Sequence, residues 1–175
     1  MSDIYIGLEN IEKEIGKING FLNSEEIKGI SNIFKKEDIL FAKLRPNLRK
    51  FWFATFEGVC STELFVIKAK DNKIYQKFLY LIIQSKNFLK LAESKVFGTK
   101  MPRTSWEILK NYKFLLPPLP EQQCIAQILT QIDKTIEKEQ KYKEKLKRLK
   151  QSLMEDLLTG KIRVNHLIKE GVEDV

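Results

Sequence analysis

The first two thirds of the chain alternate short strand-like segments with helical spacing. Aromatic and β-branched residues predict strands over residues 38–44, 50–56 and 61–68, with further short strands over 5–10 and 112–116. Apolar residues recur at helical spacing from residue 73 to about 97, and Gly98 is a plausible stop. A capping box from Thr104 to Glu107 predicts a short helix over Ile108 and Leu109. These elements favour an α+β or mixed α/β domain.

A different pattern follows the proline-rich segment 116–120. No glycine or proline then occurs before Gly160, and Glu121 supplies an acid in a first helical turn. The sequence therefore predicts one helix from Glu121 to Leu158, about 57 Å long at 1.5 Å per residue. The resulting division is a globular domain over residues 1–118, a long helix over 119–160 and a tail over 161–175.

The long helix carries an apolar stripe at steps of mostly three and four, with one interruption between Ile136 and Tyr142. Such a stripe is typical of a coiled coil and needs a second long helix to cover it. Its members are Ile125, Leu129, Ile132, Ile136, Tyr142, Leu146, Leu149, Leu153 and Leu157.

Composition excludes several classes of protein. The 175 residues include 43% hydrophobic residues, which is enough for a packed core. The apolar run over 78–83 is far shorter than a membrane span, and the N-terminus does not resemble a secretory signal. Two cysteines, Cys60 and Cys124, are too few for a disulfide framework or a zinc cluster, so a cytoplasmic protein is expected.

The sequence offers little for catalysis. His166 is its single histidine, and no phosphate-binding glycine loop or HExxH motif is present. The triplet Glu93-Ser94-Lys95 is compatible with a nuclease site, but a solvated helix face explains it better. We therefore expect no catalytic residue, metal or cofactor.

Charge and loop composition point towards nucleic acid. The 31 basic residues exceed the 23 acidic residues by eight, and cations of this kind bind phosphates. Two segments concentrate basic, amide and hydroxyl side chains next to Pro46 and Pro102, and ordinary polar loops are the alternative interpretation of both. The candidate DNA-contacting residues are Lys43, Arg45, Asn47, Arg49 and Lys50 in the first segment, and Thr99, Lys100, Arg103 and Thr104 in the second. The lysine-rich segment 138–150 contains interspersed glutamates and is better explained as the solvated face of a coiled coil.

Two motifs make the sequence recognisable. The first is Leu116-Pro-Pro-Leu-Pro-Glu-Gln-Gln-Cys-Ile-Ala126 before the long helix, and the second is Leu153-Met-Glu-Asp-Leu-Leu-Thr-Gly-Lys-Ile-Arg-Val164 at its end. Together they resemble the target-recognition domain and conserved helix of type I restriction-modification specificity subunits. Segments 38–50, 58–62 and 98–102 are similar to the same family.

The resemblance implies a non-catalytic subunit that recognises DNA. In this family one domain reads half of a split target, while the conserved helix spaces two such domains and docks methyltransferase subunits. Adenine methylation and cleavage belong to the methyltransferase and restriction subunits. One domain and one helix make this chain resemble a half subunit, so two copies are expected to pair their helices antiparallel and read an inverted repeat. The family usually has a further N-terminal segment, and the alternative is therefore a truncated docking or oligomerisation protein without DNA binding.

Overall fold

The computed structural model describes residues 4–26, 29–98 and 100–168, which form two compact units divided after Gln127. The strands are β1 Ile4–Ile6, β2 Leu22–Asn23, β3 Ser31–Phe34, β4 Ile39–Ala42, β5 Phe51–Phe53, β6 Gly58–Ser61 and β7 Leu64–Ile67. The helices are α1 Gln76–Gln84, α2 Lys86–Ser94, α3 Trp106–Leu109, α4 Leu119–Leu158 and α5 Asn165–Ile168. The predicted class, an α+β domain followed by a long helix, is confirmed.

Two small sheets organise the first unit. One has the order β2-β1-β6-β3, in which β1 and β6 are parallel and the other neighbours are antiparallel. The second sheet is antiparallel, with the order β5-β4-β7. Strand β4 lies at its centre and pairs with β5 on one edge and with β7 on the other.

Strand β4 separates the two parts of the core, because all four of its side chains are buried. Leu40 and Ala42 pack in a cluster with residues of the four-stranded sheet, such as Ile6 and Cys60. Ile39 and Phe41 belong to the cluster that contains residues from α1, α2 and α3. Successive residues of a strand point to opposite faces, so the continuous apolar run of β4 produces this layered arrangement.

The helix predicted over residues 73–97 is wrong as a single element. It is divided at Ser85, whose φ of −62° and ψ of 144° are extended. The Ser85 hydroxyl accepts a hydrogen bond from the amide of Phe88 and so caps the N-terminus of α2. Helical spacing continues through the break because both helices place apolar residues on the same core.

Three shorter predictions also need correction. The predicted strand 61–68 begins too early, because Ser61 is the last residue of β6, residues 62–63 form a turn, and β7 begins at Leu64. Residues 112–116 form no strand, and the capping box does not form, because Ser105 precedes α3 without a side-chain cap and Thr104 is buried. The sequence interpretation also missed β2 and β3, whose residues lack a clear alternating pattern.

The start of α4 is fixed by a buried amide. The side chain of Gln122 is fully buried, and its Nε2 donates to the carbonyl oxygens of Lys73 and Pro117, each at 2.8 Å. Its Oε1 accepts from the amide of Tyr75, also at 2.8 Å. Since no polar atom of this side chain lacks a partner, Gln122 attaches the first turn of α4 to the loop before α1.

The second unit contains the rest of α4. Its side chains from 128 to 158 are exposed, apart from three polar residues that are half-buried. The helix ends as predicted before Gly160, whose φ is +71°. Among the described residues, no helix is long and apolar enough to cross a membrane.

Candidate nucleic-acid interface

The structure joins the two basic segments that the sequence singled out. The amide of Arg45 donates to the carbonyl of Pro102 at 2.7 Å, and the amide of Thr104 donates to that of Lys43 at 3.0 Å. These two hydrogen bonds flank an antiparallel bridge between Leu44 and Arg103. Residues 43–50 and 100–104 therefore form one surface feature, which we name the basic ridge.

The first half of the ridge turns around Pro46 in a fixed conformation. Residues Pro46–Leu48 form a 3₁₀ turn, and the amide of Leu48 donates to Arg45 O at 2.9 Å. Arg45 and Arg49, on either side of this turn, have left-handed φ values of 50° and 48°. Non-glycine residues in this region cost about 1–2 kcal/mol each and persist where the surroundings impose them. The turn therefore holds the backbone of Arg45 and Asn47 in a defined position.

Two cations at the outer end of the turn are held by the protein itself. Arg49 Nε donates to Glu93 Oε1 at 2.7 Å, and its Nη1 donates to Glu14 Oε1 at 3.1 Å. These carboxylates raise the pKa of Arg49, the hydrogen bond to Glu93 most of all. Lys50 Nζ donates to the carbonyl of Leu8 at 2.7 Å, and burial lowers its pKa.

Two further cations are held where the halves of the ridge meet. Lys43 Nζ donates to the carbonyl of Thr62 at 2.7 Å and lies 4.8 Å from the centroid of the Phe65 ring. The guanidinium of Arg103 contacts both carboxylate oxygens of Glu63, with its shortest distance 2.8 Å from Nη2 to Oε1. Such bidentate pairs restrict the orientation of both side chains.

Three predicted side chains remain available for a ligand. Arg45, Asn47 and Lys100 are exposed, and within the described ranges none makes a side-chain hydrogen bond or ion pair. Thr104 is only 4% exposed, and its Oγ1 is the one buried side-chain oxygen that has no partner in the part of the chain that the structure describes. Thr99 lies outside the described residues.

The pair between Arg103 and Glu63 predicts a pH dependence of stability. The hydrogen bond from Arg103 lowers the pKa of Glu63, so the native state favours the ionised carboxylate. This contribution is present above the ordinary Glu pKa of about 4.3 and is lost as pH falls through the lower native value. We expect Glu63→Gln to have a lower Tm than the wild type at pH 7, and we expect this deficit to shrink as the pH falls below about 4. Thermal melts over this range measure the difference, and Glu155→Gln, at an exposed glutamate of α4 without an ion pair among the described residues, is the control. A Glu63→Gln deficit that stayed constant with pH would contradict the prediction.

The predicted helix-pairing residues form an apolar stripe on α4. Ile125 is half-buried within the first unit, whereas the others, from Leu129 to Leu157, are exposed. The structure adds Ile128, Met154 and Leu158 to the exposed apolar residues of α4. Spacing could have found Ile128, because it lies three residues after Ile125 and four before Ile132.

The side chains of the C-terminal part of the stripe enclose a shallow space that is open to solvent. It forms a groove of about 460 Å³ lined by Leu146, Leu149, Lys150, Leu153, Met154, Leu157 and Leu158. An apolar groove on an exposed helix is the shape that receives side chains of a second helix.

Burial and ion pairing explain the environments of Cys60 and of Glu93. Burial raises the pKa of the Cys60 thiol to about 12, which keeps it protonated. Glu93 of the nuclease-like triplet is paired with Arg49. Among the described residues, no group of three or more His, Cys, Asp or Glu is placed to hold a metal ion.

The comparisons with known proteins all point to the same family. A family model described as "Type I restriction modification DNA specificity domain" matches residues 8–148. The type I restriction enzyme MjaVIII specificity subunit of Methanocaldococcus jannaschii is 40% identical over 98 residues, which are 56% of this chain and 23% of that protein. This chain therefore spans about a quarter of the length of that relative.

Two solved structures share the fold. The HsdS subunit from Thermoanaerobacter tengcongensis superposes with a TM-score of 0.68 at 22% identity, over 86% of this chain and 40% of that one. A chain from a structure on complex assembly and conformational transition of the type I R-M system has a TM-score of 0.70 at 22% identity, over 93% and 43%. In both, this chain covers less than half of the solved chain.

Proposed function

The chain belongs to the type I restriction-modification DNA specificity domain family, and from this membership we propose that it is a sequence-specific DNA recognition subunit. It reads one half of a bipartite target and directs adenine methyltransferase and restriction subunits to it. It supplies no catalytic group and no cofactor, and it acts in the cytoplasm, where the DNA lies. The observation that carries the proposal is the joining of two separate basic segments into the basic ridge.

Arg45, Asn47 and Lys100 are the side chains that we assign to DNA first. A guanidinium suits the edge of guanine, an amide suits adenine, and an ammonium suits a phosphate. Arg45 and Asn47 occupy a turn with a fixed backbone, which reduces the conformational freedom lost on binding. We assign a supporting role in the ridge to the ion-paired Arg49 and Arg103, to Lys43 and Lys50, and to the buried Thr104. Of these, Lys43 and Arg103 are partly exposed and could also contact phosphates.

We propose that two copies pair through the apolar stripe of α4 in an antiparallel arrangement. Residues 121–137 contain three acids and one lysine, whereas residues 138–158 contain seven cations and four acids. An antiparallel pair places these oppositely charged halves side by side, and a parallel pair would place like charges together. The resulting two-fold symmetry requires a target made of two inverted half-sites.

Membership of the family also suggests which protein subunits this chain binds. The solved structure with a TM-score of 0.70 describes complex assembly of a type I R-M system. We assign the methyltransferase subunit as the direct partner of the paired helices and the restriction subunit as an indirect one. A non-catalytic subunit that binds DNA and protein partners needs no metal or cofactor.

A selection from random duplexes, followed by Arg45→Ala on the enriched duplex, tests this function. We expect the wild type to enrich two inverted half-sites at a fixed spacing. If Arg45 contacts a base, Arg45→Ala loses about 1–3 kcal/mol of binding free energy and relaxes selectivity at one position in each half-site. Fluorescence anisotropy on the selected duplex measures the loss.

The matched control is Lys36→Ala, which removes an exposed cation from the turn before β4, at the end of that strand opposite Arg45. It should bind like the wild type. Affinity of Arg45→Ala equal to that of the wild type would remove the first segment from the interface. A wild type that binds no duplex, with or without the methyltransferase subunit, would favour the docking protein instead.

A further inference from the structure

An exposed aromatic side chain stands beside the basic ridge. Phe97 is 66% exposed, and Val96 and Met101 on either side of it are also exposed. A phenylalanine left in water forgoes the burial that normally stabilises it, about 25 cal/mol per Å² of apolar area. Nothing in the ion pairs and hydrogen bonds of the ridge accounts for this apolar surface.

Phe97 is held by a short ladder of backbone hydrogen bonds. Its amide donates to Arg103 O and its carbonyl accepts from Arg103 N, both at 2.9 Å. Arg103 in turn bridges to Leu44 on its other side. Directly opposed residues of antiparallel strands point to the same face, so Phe97 and Arg103 lie side by side.

The residue after Phe97 has a backbone conformation that suits glycine. Gly98 has a φ of +86°, and a Cβ built there would lie 3.2 Å from the carbonyl oxygen of Met101. Glycine adopts this conformation readily, whereas a residue with a Cβ would be strained there. Through the two hydrogen bonds to Arg103, the backbone that carries the Phe97 ring is continuous with the basic ridge.

The charges around Phe97 indicate the kind of surface that covers it. Lys95, Lys100 and Arg103 flank it, and residues 95–103 contain no acid. An apolar side chain among cations fits duplex DNA, whose phosphates meet the cations while base surfaces and thymine methyl groups meet the ring. Arg103 is already paired with Glu63, but a purely apolar protein surface would leave the exposed Lys95 and Lys100 without partners.

We propose that Phe97 is a specificity-determining residue whose ring contacts the bases of the DNA target. Met101 extends the same apolar contact. This inference rests on the proposed DNA recognition. It adds to that proposal an apolar contact, which does not neutralise the charge of any phosphate. The cations of the ridge orient the duplex, and Phe97 discriminates between base pairs.

The test measures the affinity of the full chain for the selected duplex at several salt concentrations. Full burial of a phenylalanine ring is worth about 1.5–3 kcal/mol, so we expect Phe97→Ala to bind about 10- to 150-fold more weakly. Its salt dependence should equal that of the wild type, whereas Lys100→Ala should show a shallower one. Phe97→Tyr keeps the ring and should retain most of the affinity.

Phe21→Ala is the matched control, because Phe21 is another exposed phenylalanine of the same unit, next to β2. Unchanged affinity of Phe97→Ala, with its circular dichroism spectrum preserved, would overturn the inference and leave the proposed function standing. An equal loss for Phe21→Ala would also overturn it. A wild type that binds no duplex would overturn both proposals.

Discussion

The double substitution Leu146→Asp with Leu149→Asp is expected to convert the proposed dimer of this chain into a monomer. Both leucines are exposed on α4 and line its apolar groove. Each leucine buried in a helix pair contributes about 1.5–3 kcal/mol, and an unpaired carboxylate in the same place costs more. Because symmetry doubles every change, the dissociation constant should rise by at least about 1,000-fold.

Sedimentation velocity over a range of concentrations measures this effect. The matched control is Gln140→Asp with Gln151→Asp, which introduces the same two carboxylates at exposed polar positions of the same helix. It carries the same helix-propensity cost and should remain dimeric. If the leucine variant also remains dimeric, the contact between copies lies outside the α4 groove.

Replacement of Gln122 by methionine is expected to produce the largest loss of stability among the polar substitutions considered. Methionine has a similar volume but leaves the amide of Tyr75 and the carbonyls of Lys73 and Pro117 without partners. Buried polar groups without partners cost about 1–3 kcal/mol each, and relaxation recovers part of that. We expect the free energy of unfolding to fall by about 2–4 kcal/mol and the Tm by about 5–15 °C.

Urea unfolding measures the first quantity and calorimetry the second. Gln123→Met, at the exposed neighbouring position, is the control and should change stability by no more than about 0.5 kcal/mol. A Gln122→Met variant as stable as the Gln123→Met variant would show that the buried amide does not hold the start of α4. Loss of stability in both would point to the helix terminus itself.

The sequence predicted the central strand, the helical region that contains α1 and α2, the short helix α3 and the place of α4, because their patterns are local. Strand β4 is a continuous apolar run, and α4 is a long segment without glycine or proline that begins after a proline-rich segment. Helical periodicity could not locate the break at Ser85, since α1 and α2 pack on one core and keep a common apolar face. Short strands such as β2 depend on a neighbour for their hydrogen bonds and have no pattern of their own.

The sequence predicted which segments belong to the candidate interface, but it could not predict how they are arranged. The sequence singled out both basic segments, yet Arg45 and Pro102 are 57 positions apart, and only tertiary pairing places them side by side. It also could not distinguish the free Arg45 from Arg49, which is paired with Glu93 and Glu14. Phe97 escaped attention because an aromatic residue near the end of a helical pattern is usually part of the core.

By itself the sequence determined the family, the class of fold, the long helix and its apolar stripe, all of which follow from motifs and periodicities of adjacent residues. Only the tertiary structure decided which cations are held by carboxylates, which remain available for a ligand, and which aromatic ring stays in water. The physical reason is distance along the chain. A hydrogen bond or ion pair between residues 40 or more positions apart, such as that from Arg103 to Glu63, leaves no local pattern in either segment.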